Sequence, residues 1–216
     1  MIITNQIAKD TYKKFSKALG ADYIASEFAL ITILRIIDTF KINQILEIGL
    51  GIGSISDTVL NYARETNKNI NYTGTEANEF CLNQLPLNLK DNYGKIKLLN
   101  NVSQIDKETK FDLIIVDGSD NSLEKLKYNV KPNSIIFIEG LRTQQVKALK
   151  KLFPNSKHVE IISNYKSPSY GVSSPSKWSG GGQLIFINPT VRQYVFWIKN
   201  KIRTSFIYKV GRKLKK

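Results

Sequence analysis

Short apolar runs recur along the middle of this chain, at residues 44–48, 71–75, 95–99, 112–117 and 134–138. Runs of four to eight such residues between turn-forming stretches suit strands buried on both faces. Helical spacing fills the gaps at 54–66, 78–89, 121–129 and 142–152. Strands alternating with helices predict crossover units and a mostly parallel sheet covered on both faces. Ahead of this body, residues 5–19 read as a surface helix ended by Gly20, and 26–40 as a largely apolar helix packed on the main domain.

The alternation stops near residue 155. "HVEIIS" (158–163) and "GQLIFIN" (182–188) read as two strands with no helix between them, which predicts an antiparallel edge. Their connection, residues 164–182, is rich in Gly, Ser and Pro. Connections this long are functional or disordered. Tyr165, Tyr170 and Trp178 within it would form either a wall for a sugar or another flat acceptor, or part of a loose insertion. The segment 191–216 returns to helical spacing. Val191, Val195, Ile198, Ile202, Phe206 and Val210 make an apolar stripe, and Lys199, Lys201, Arg203, Lys209 and Arg212 lie largely off it. Three segments follow: a helical cap (1–40), an α/β core (41–189) and a basic amphipathic helix (190–216).

Charge sharpens the picture of that last segment. The 216 residues carry a net charge of +14, and nine of the Lys and Arg lie in 190–216, where there is no acid. Glu160 is the last carboxylate of the chain. A basic amphipathic helix suits an anionic membrane surface; nucleic-acid binding and packing on the domain are the other readings. The single cysteine, Cys81, excludes an internal disulfide and fits a reducing compartment. Its helical neighbours Phe80 and Leu85 suggest packing. The polar N-terminal stretch reads as no signal, and no uncharged apolar run nears the length of a spanning helix, so a cytoplasmic protein is expected.

The candidate chemistry lies at the ends of the strands. "ILEIGLGIGSIS" (45–56) sets Glu47 before Gly49, Gly51 and Gly53. A dinucleotide fingerprint would place a further glycine where Ser54 stands. A carboxylate before the turn would also oppose the pyrophosphate that a helix N-terminus attracts. It favours a nucleoside ligand with a cationic end and no phosphate. Glu76 ends the second strand, placed to accept from ribose hydroxyls. Asp117 ends the fourth, in "FDLIIVDGSD".

Together, E-x-G-x-G-x-G at 47–53, Glu76, the aspartate of "IIVDG" and the late strand pair resemble the class I S-adenosylmethionine-dependent methyltransferases, over about residues 40–190. The resemblance implies a Rossmann-like, doubly wound, seven-stranded sheet and S-adenosylmethionine as cofactor. Glu47, Gly49, Gly51 and Gly53 would then serve its methionine part, Glu76 its ribose, and Asn101 and Val102 of "LLNNVSQ" its adenine, with Asp117 at the mouth of the crevice. "KPNSIIFIEG" (131–140) resembles the family's fifth strand, with Asn133 where a glycine is usual.

Asp117, Asp120 and Glu139 are the candidate catalytic acids. Together they are also candidate ligands for Mg²⁺ or Ca²⁺, but Gly140 and Leu141 follow Glu139 where another oxygen ligand would be needed, so a metal-free reaction is expected. His158, the only histidine, reads as a strand-edge residue or an acid–base group. The reading is an O-methyltransferase for a small-molecule, glycan or lipid-linked acceptor. An RNA methyltransferase is the rival suggested by the charge, although no Asn/Asp-Pro-Pro-Tyr-type motif is present. A non-catalytic cofactor-binding scaffold is a second rival.

Overall fold

The computed structural model describes residues 2–120 and 122–214. Its strands are β1 (Gln44–Ile48), β2 (Asn71–Thr75), β3 (Ile96–Leu99), β4 (Phe111–Val116), β5 (Val130–Glu139), β6 (Lys157–Ile162) and β7 (Gly181–Phe186). They form one seven-stranded sheet in the order β3-β2-β1-β4-β5-β7-β6. The first five are parallel, and β7 runs antiparallel to both of its neighbours. The expected antiparallel pair is therefore present, with a difference of detail. The reversed strand is inserted between β5 and β6, and the edge strand β6 points the same way as β5. Chain order explains this: the long loop leaves β6 and re-enters β7 at the same end of the sheet, so β7 fills the position beside β5.

The middle of the sheet is strongly apolar, as in Leu113–Val116 of β4 and Ile135–Ile138 of β5, because both faces are covered. Along β4, Leu113 and Ile115 join one core, and Ile114 and Val116 the other, the two-residue alternation of a pleated strand. The first core is capped by α1 (Ile2–Phe15), α2 (Glu27–Phe40), α3 (Ser54–Glu65) and α4 (Glu79–Leu89). The second is covered by α5 (Thr143–Leu152), through Val146 and Leu149, and by short turns. α1 lies three to four residues earlier than its pattern suggested and buries Ala8, Tyr12 and Phe15. α2 starts where the Ser26 side chain accepts from the Ala29 amide. It is apolar nearly all round and is buried accordingly, within the same core as β1, β4 and β5.

Residues 121–129, expected to be helical, contain instead a six-residue 3-10 turn, Leu123–Tyr128, with Leu126 as its buried anchor. The ends of this connection are pinned. Asp120 Oδ1 accepts from the Ser122 amide at 2.6 Å, and the Asn129 side chain donates to the carbonyls of Asp106 and Thr109. A 3-10 turn gains more length per residue than an α-helix, which suits so short a span. β5 begins four residues earlier than its apolar run, through an irregularity opposite Phe111 and Leu113. Pro132 fits there because a disrupted ladder needs no amide from it.

The C-terminal segment forms α6 (Val191–Phe206), opened by a reciprocal Thr190–Gln193 capping box, and a final π turn, Ile207–Gly211. It lies along the edge strand. Trp197 Nε1 donates to the His158 carbonyl (2.8 Å), Thr204 Oγ1 to Glu160 (2.7 Å) and Arg203 to Ile162 (2.9 Å). Those three alternate carbonyls lie along the outer side of β6, so the helix satisfies a sheet edge that would otherwise be open. Phe196 also packs on Phe40 and Phe186. The helix is thus part of the fold, and it docks through the side opposite the predicted apolar stripe.

Candidate cofactor and active site

The parallel strands all end on one side, and the glycine turn links β1 to α3 there. Gly49, Gly51 and Gly53 have φ of 84°, 54° and 98°, the left-handed region that favours glycine. Their roles differ from the expectation that each makes room for a ligand. A Cβ on Gly49 would lie 2.4 Å from Gly118 Cα, so that glycine lets the β1 and β4 exits touch. Gly51 alone faces open space. It lines a cavity of about 390 Å³ with Leu50, Ser54, Asn78, Asp117 and the segment around Tyr23.

Glu76 organises the turn. Its Oε2 accepts from the Gly51 amide at 2.7 Å, and its Oε1 from the amides of Ala77 and Asn78 at 2.9 and 2.8 Å. Glu47 is placed differently from its sequence reading. It is 0% exposed, beneath the turn rather than in the crevice. Tyr72 donates its hydroxyl to Oε2 at 2.5 Å, and Oε1 has no partner. Burial pushes the Glu47 carboxyl well above the ordinary range, against the Tyr72 hydrogen bond, and the charges of Asp117 and Glu76 push it the same way. Tyr72 carried no functional reading in the sequence. A tyrosine inside a buried strand needs a hydroxyl partner, and on the same sheet face, one strand over, the register offers Glu47.

Asp117 and Glu139, at the ends of adjacent strands β4 and β5, are brought together. Burial raises the Asp117 carboxyl well above its usual value, and the Glu139 charge adds to this, while Arg142 opposes it. Glu139 is likewise raised by burial, opposed by Arg142 and by the Ser26 amide at the start of α2. Arg142 was missed in the sequence, where only its position three residues after a strand-end acid marked it. Its guanidinium donates to the Asp117 carbonyl and to the Glu139 carbonyl at 3.2 Å, and lies 3.3 Å from Asp117 Oδ1.

Asp120 does not join this pair. Its oxygens accept from the Val102 and Ser122 amides at 3.0 and 2.6 Å, so it clips the β3 and β4 exits together. Val102 is buried in the second core. The Asn101 side chain accepts from the Ser103 amide and hydroxyl. Both residues shape the turn after β3, and in this conformation neither the Val102 side chain nor the Asn101 carbonyl oxygen is free for a ring edge. Among the described residues, no three His, Cys, Asp or Glu side chains form a metal-binding group.

The remaining candidates fall outside the crevice or at its rim. His158 lies early in β6, away from the strand ends; it meets Gln183 at 2.8 Å, and burial lowers its pKa. Cys81 lines the cavity beside Phe80. Tyr165 and Tyr170 anchor the long loop to the N-terminal helices. Tyr165 packs edge-on against Phe28, and Tyr170 donates to Glu27 at 2.5 Å. Trp178 lies under the Lys166 and Arg212 cations.

No protein-family model matches the sequence, and no curated protein sequence does so. Solved structures do match. A methyltransferase from Podospora anserina bound to S-adenosylhomocysteine aligns with TM-score 0.56 and 17% identity, over 82% of this chain and 86% of that one. An O-methyltransferase from Bacillus cereus, also with S-adenosylhomocysteine, gives 0.55 and 14%, over 84% and 90%. A proposed RNA methyltransferase from Pyrococcus horikoshii gives 0.54 and 14%, over 86% and 97%. At such identities the likeness speaks for the fold. The chain has the methyltransferase fold that its motifs resemble.

Proposed function

We propose that this chain is an S-adenosylmethionine-dependent methyltransferase, and specifically an O-methyltransferase for a small-molecule, glycan or lipid-linked acceptor. The observation that carries the reading is the half-buried pair Asp117 and Glu139 at adjacent strand ends, with Asp117 lining the cavity beyond the glycine turn. The residues present fit the cofactor. The cavity beyond the turn is lined by Asp22 and Asp117, and no Lys or Arg is among its described lining residues, which favours a ligand with cationic groups over one with phosphates. Glu76 already holds three amides, and a carboxylate has about four acceptor positions, which leaves it one for a ribose hydroxyl.

S-adenosylmethionine, when bound, supplies an electrophilic methyl group. The chain's own task is to hold the acceptor in line with it and to take the hydroxyl proton. Asp117 fills that second role. Burial makes its carboxylate a stronger base than an exposed one, and Arg142 keeps the ionised form accessible.

The test is incubation with methyl-labelled S-adenosylmethionine and separate fractions of small polar molecules, glycans, lipids and RNA. Label should enter one of the first three, and Asp117→Asn should abolish transfer while S-adenosylhomocysteine still binds. Label in RNA alone would replace the acceptor class. A protein that fails to bind S-adenosylhomocysteine in calorimetry would end the whole reading.

A further inference from the structure

Since α6 turns its polar and aromatic side to β6, its aliphatic stripe points away from the protein. Val191 is 83% exposed, Ile202 65% and Phe206 60%, with Val195, Ile198 and Val210 also exposed. These residues recur at spacings of three and four, so they form one continuous strip along the helix. Arg192 and Lys199 border one side of it and Lys201 the other. Tyr194 and Tyr208, both partly exposed, stand at its margin. We propose that this face docks on an anionic lipid bilayer, with the helix lying flat in the interface.

Two observations favour that occupant. First, the charge of the segment is one-sided: nine basic residues and no acid in 190–216. Two copies of such a face would repel each other, which argues against a dimer through it, whereas an anionic surface attracts each cation by about 1 kcal/mol. Second, the strip itself is broad and aliphatic. Phosphate backbones of nucleic acid offer such side chains nothing, while the acyl boundary of a bilayer buries them. No described helix is long and apolar enough to cross a membrane.

The placement has a consequence for access. The C-terminal end of α6 reaches the side of the sheet where the strands finish. Tyr208 and Arg212 there line a cavity of about 210 Å³ with Trp178, Gly140 and Leu141, immediately after Glu139. A surface that receives α6 would lie beside that opening. The docking proposal rests on the helix face and stands whether or not the chain transfers methyl groups.

Deleting 191–216 would be a poor test, because it would uncover the β6 edge. Substitutions on the exposed strip avoid this. The full chain should sediment with phosphatidylcholine vesicles containing phosphatidylserine, and roughly tenfold less with phosphatidylcholine alone. Ile202→Ser with Phe206→Ser should reduce binding by roughly tenfold or more, with circular dichroism and melting temperature unchanged. Lys199→Glu with Lys201→Glu should remove the preference for anionic vesicles. No sedimentation with anionic vesicles at physiological salt would overturn the proposal. So would vesicle binding indifferent to both double variants. An electrophoretic shift of RNA or DNA without vesicle binding, or a dimer that Ile202→Ser dissociates, would assign the face to another occupant.

Discussion

Replacing Glu47 by glutamine should change how stability depends on pH. In the folded chain this carboxyl is fully buried, with one oxygen on the Tyr72 hydroxyl and one unpartnered, so burial raises its pKa well above that of an exposed glutamate. The unfolded chain, with its ordinary pKa, gives up the proton first as pH rises. Unfolding therefore releases a proton between the two pKa values, and stability falls with rising pH in that window. Each pH unit inside it costs about 1.4 kcal/mol. Glu47→Gln removes this titration. Its amide adds an offset that does not vary with pH, of about 1–3 kcal/mol if the NH₂ finds no acceptor. Asp117 and Glu139 titrate in both proteins and largely cancel in the comparison. Urea unfolding of both proteins from about pH 5 to about pH 8 should show the variant gaining on the parent as pH rises. A difference that is flat, or that falls with pH, would mean that Glu47 is already ionised when folded and that burial does not dominate it.

Two contrasts probe the glycine turn and its acid. Gly49→Ala would drive a Cβ to 2.4 Å from Gly118 Cα at a φ of 84°, while Gly51→Ala meets nothing within 4 Å at a φ of 54°. The first should unfold or grossly destabilise the protein in thermal melts, and the second should cost only about 1–2 kcal/mol of left-handed strain; equal losses would contradict the assigned roles. Glu76→Ala frees the Gly51 amide and two others. Calorimetry should show S-adenosylhomocysteine binding weakened by about 1–3 kcal/mol, and undiminished affinity would remove Glu76 from the ribose role.

The strands were largely legible because burial on both faces favours short runs rich in apolar residues, a local property of the chain, although β5 starts four residues before its run. β1 and β2 match their predicted limits, and α2, α3, α4 and α5 lie within a residue of theirs. The glycine turn was equally plain, since positive φ leaves few residue types to choose from. What surrounds those elements was not local. Whether Glu47 faces a ligand or Tyr72 depends on the neighbouring strand's register. Whether Asp120 is a catalytic acid or a clip depends on the Val102 amide, eighteen residues away in sequence.

The C-terminal helix shows the division most clearly. Its periodicity, its stripe and its cations were present in the sequence, but they left open whether the stripe faces a membrane surface, a nucleic acid or the domain. Tertiary structure decided which side meets the sheet. The edge strand presented carbonyls at His158, Glu160 and Ile162 that needed donors, and only the Trp197, Arg203 and Thr204 side of the helix supplies them. Backbone groups on an open edge must be paired. Aliphatic side chains cannot pair them, so the stripe was left facing out.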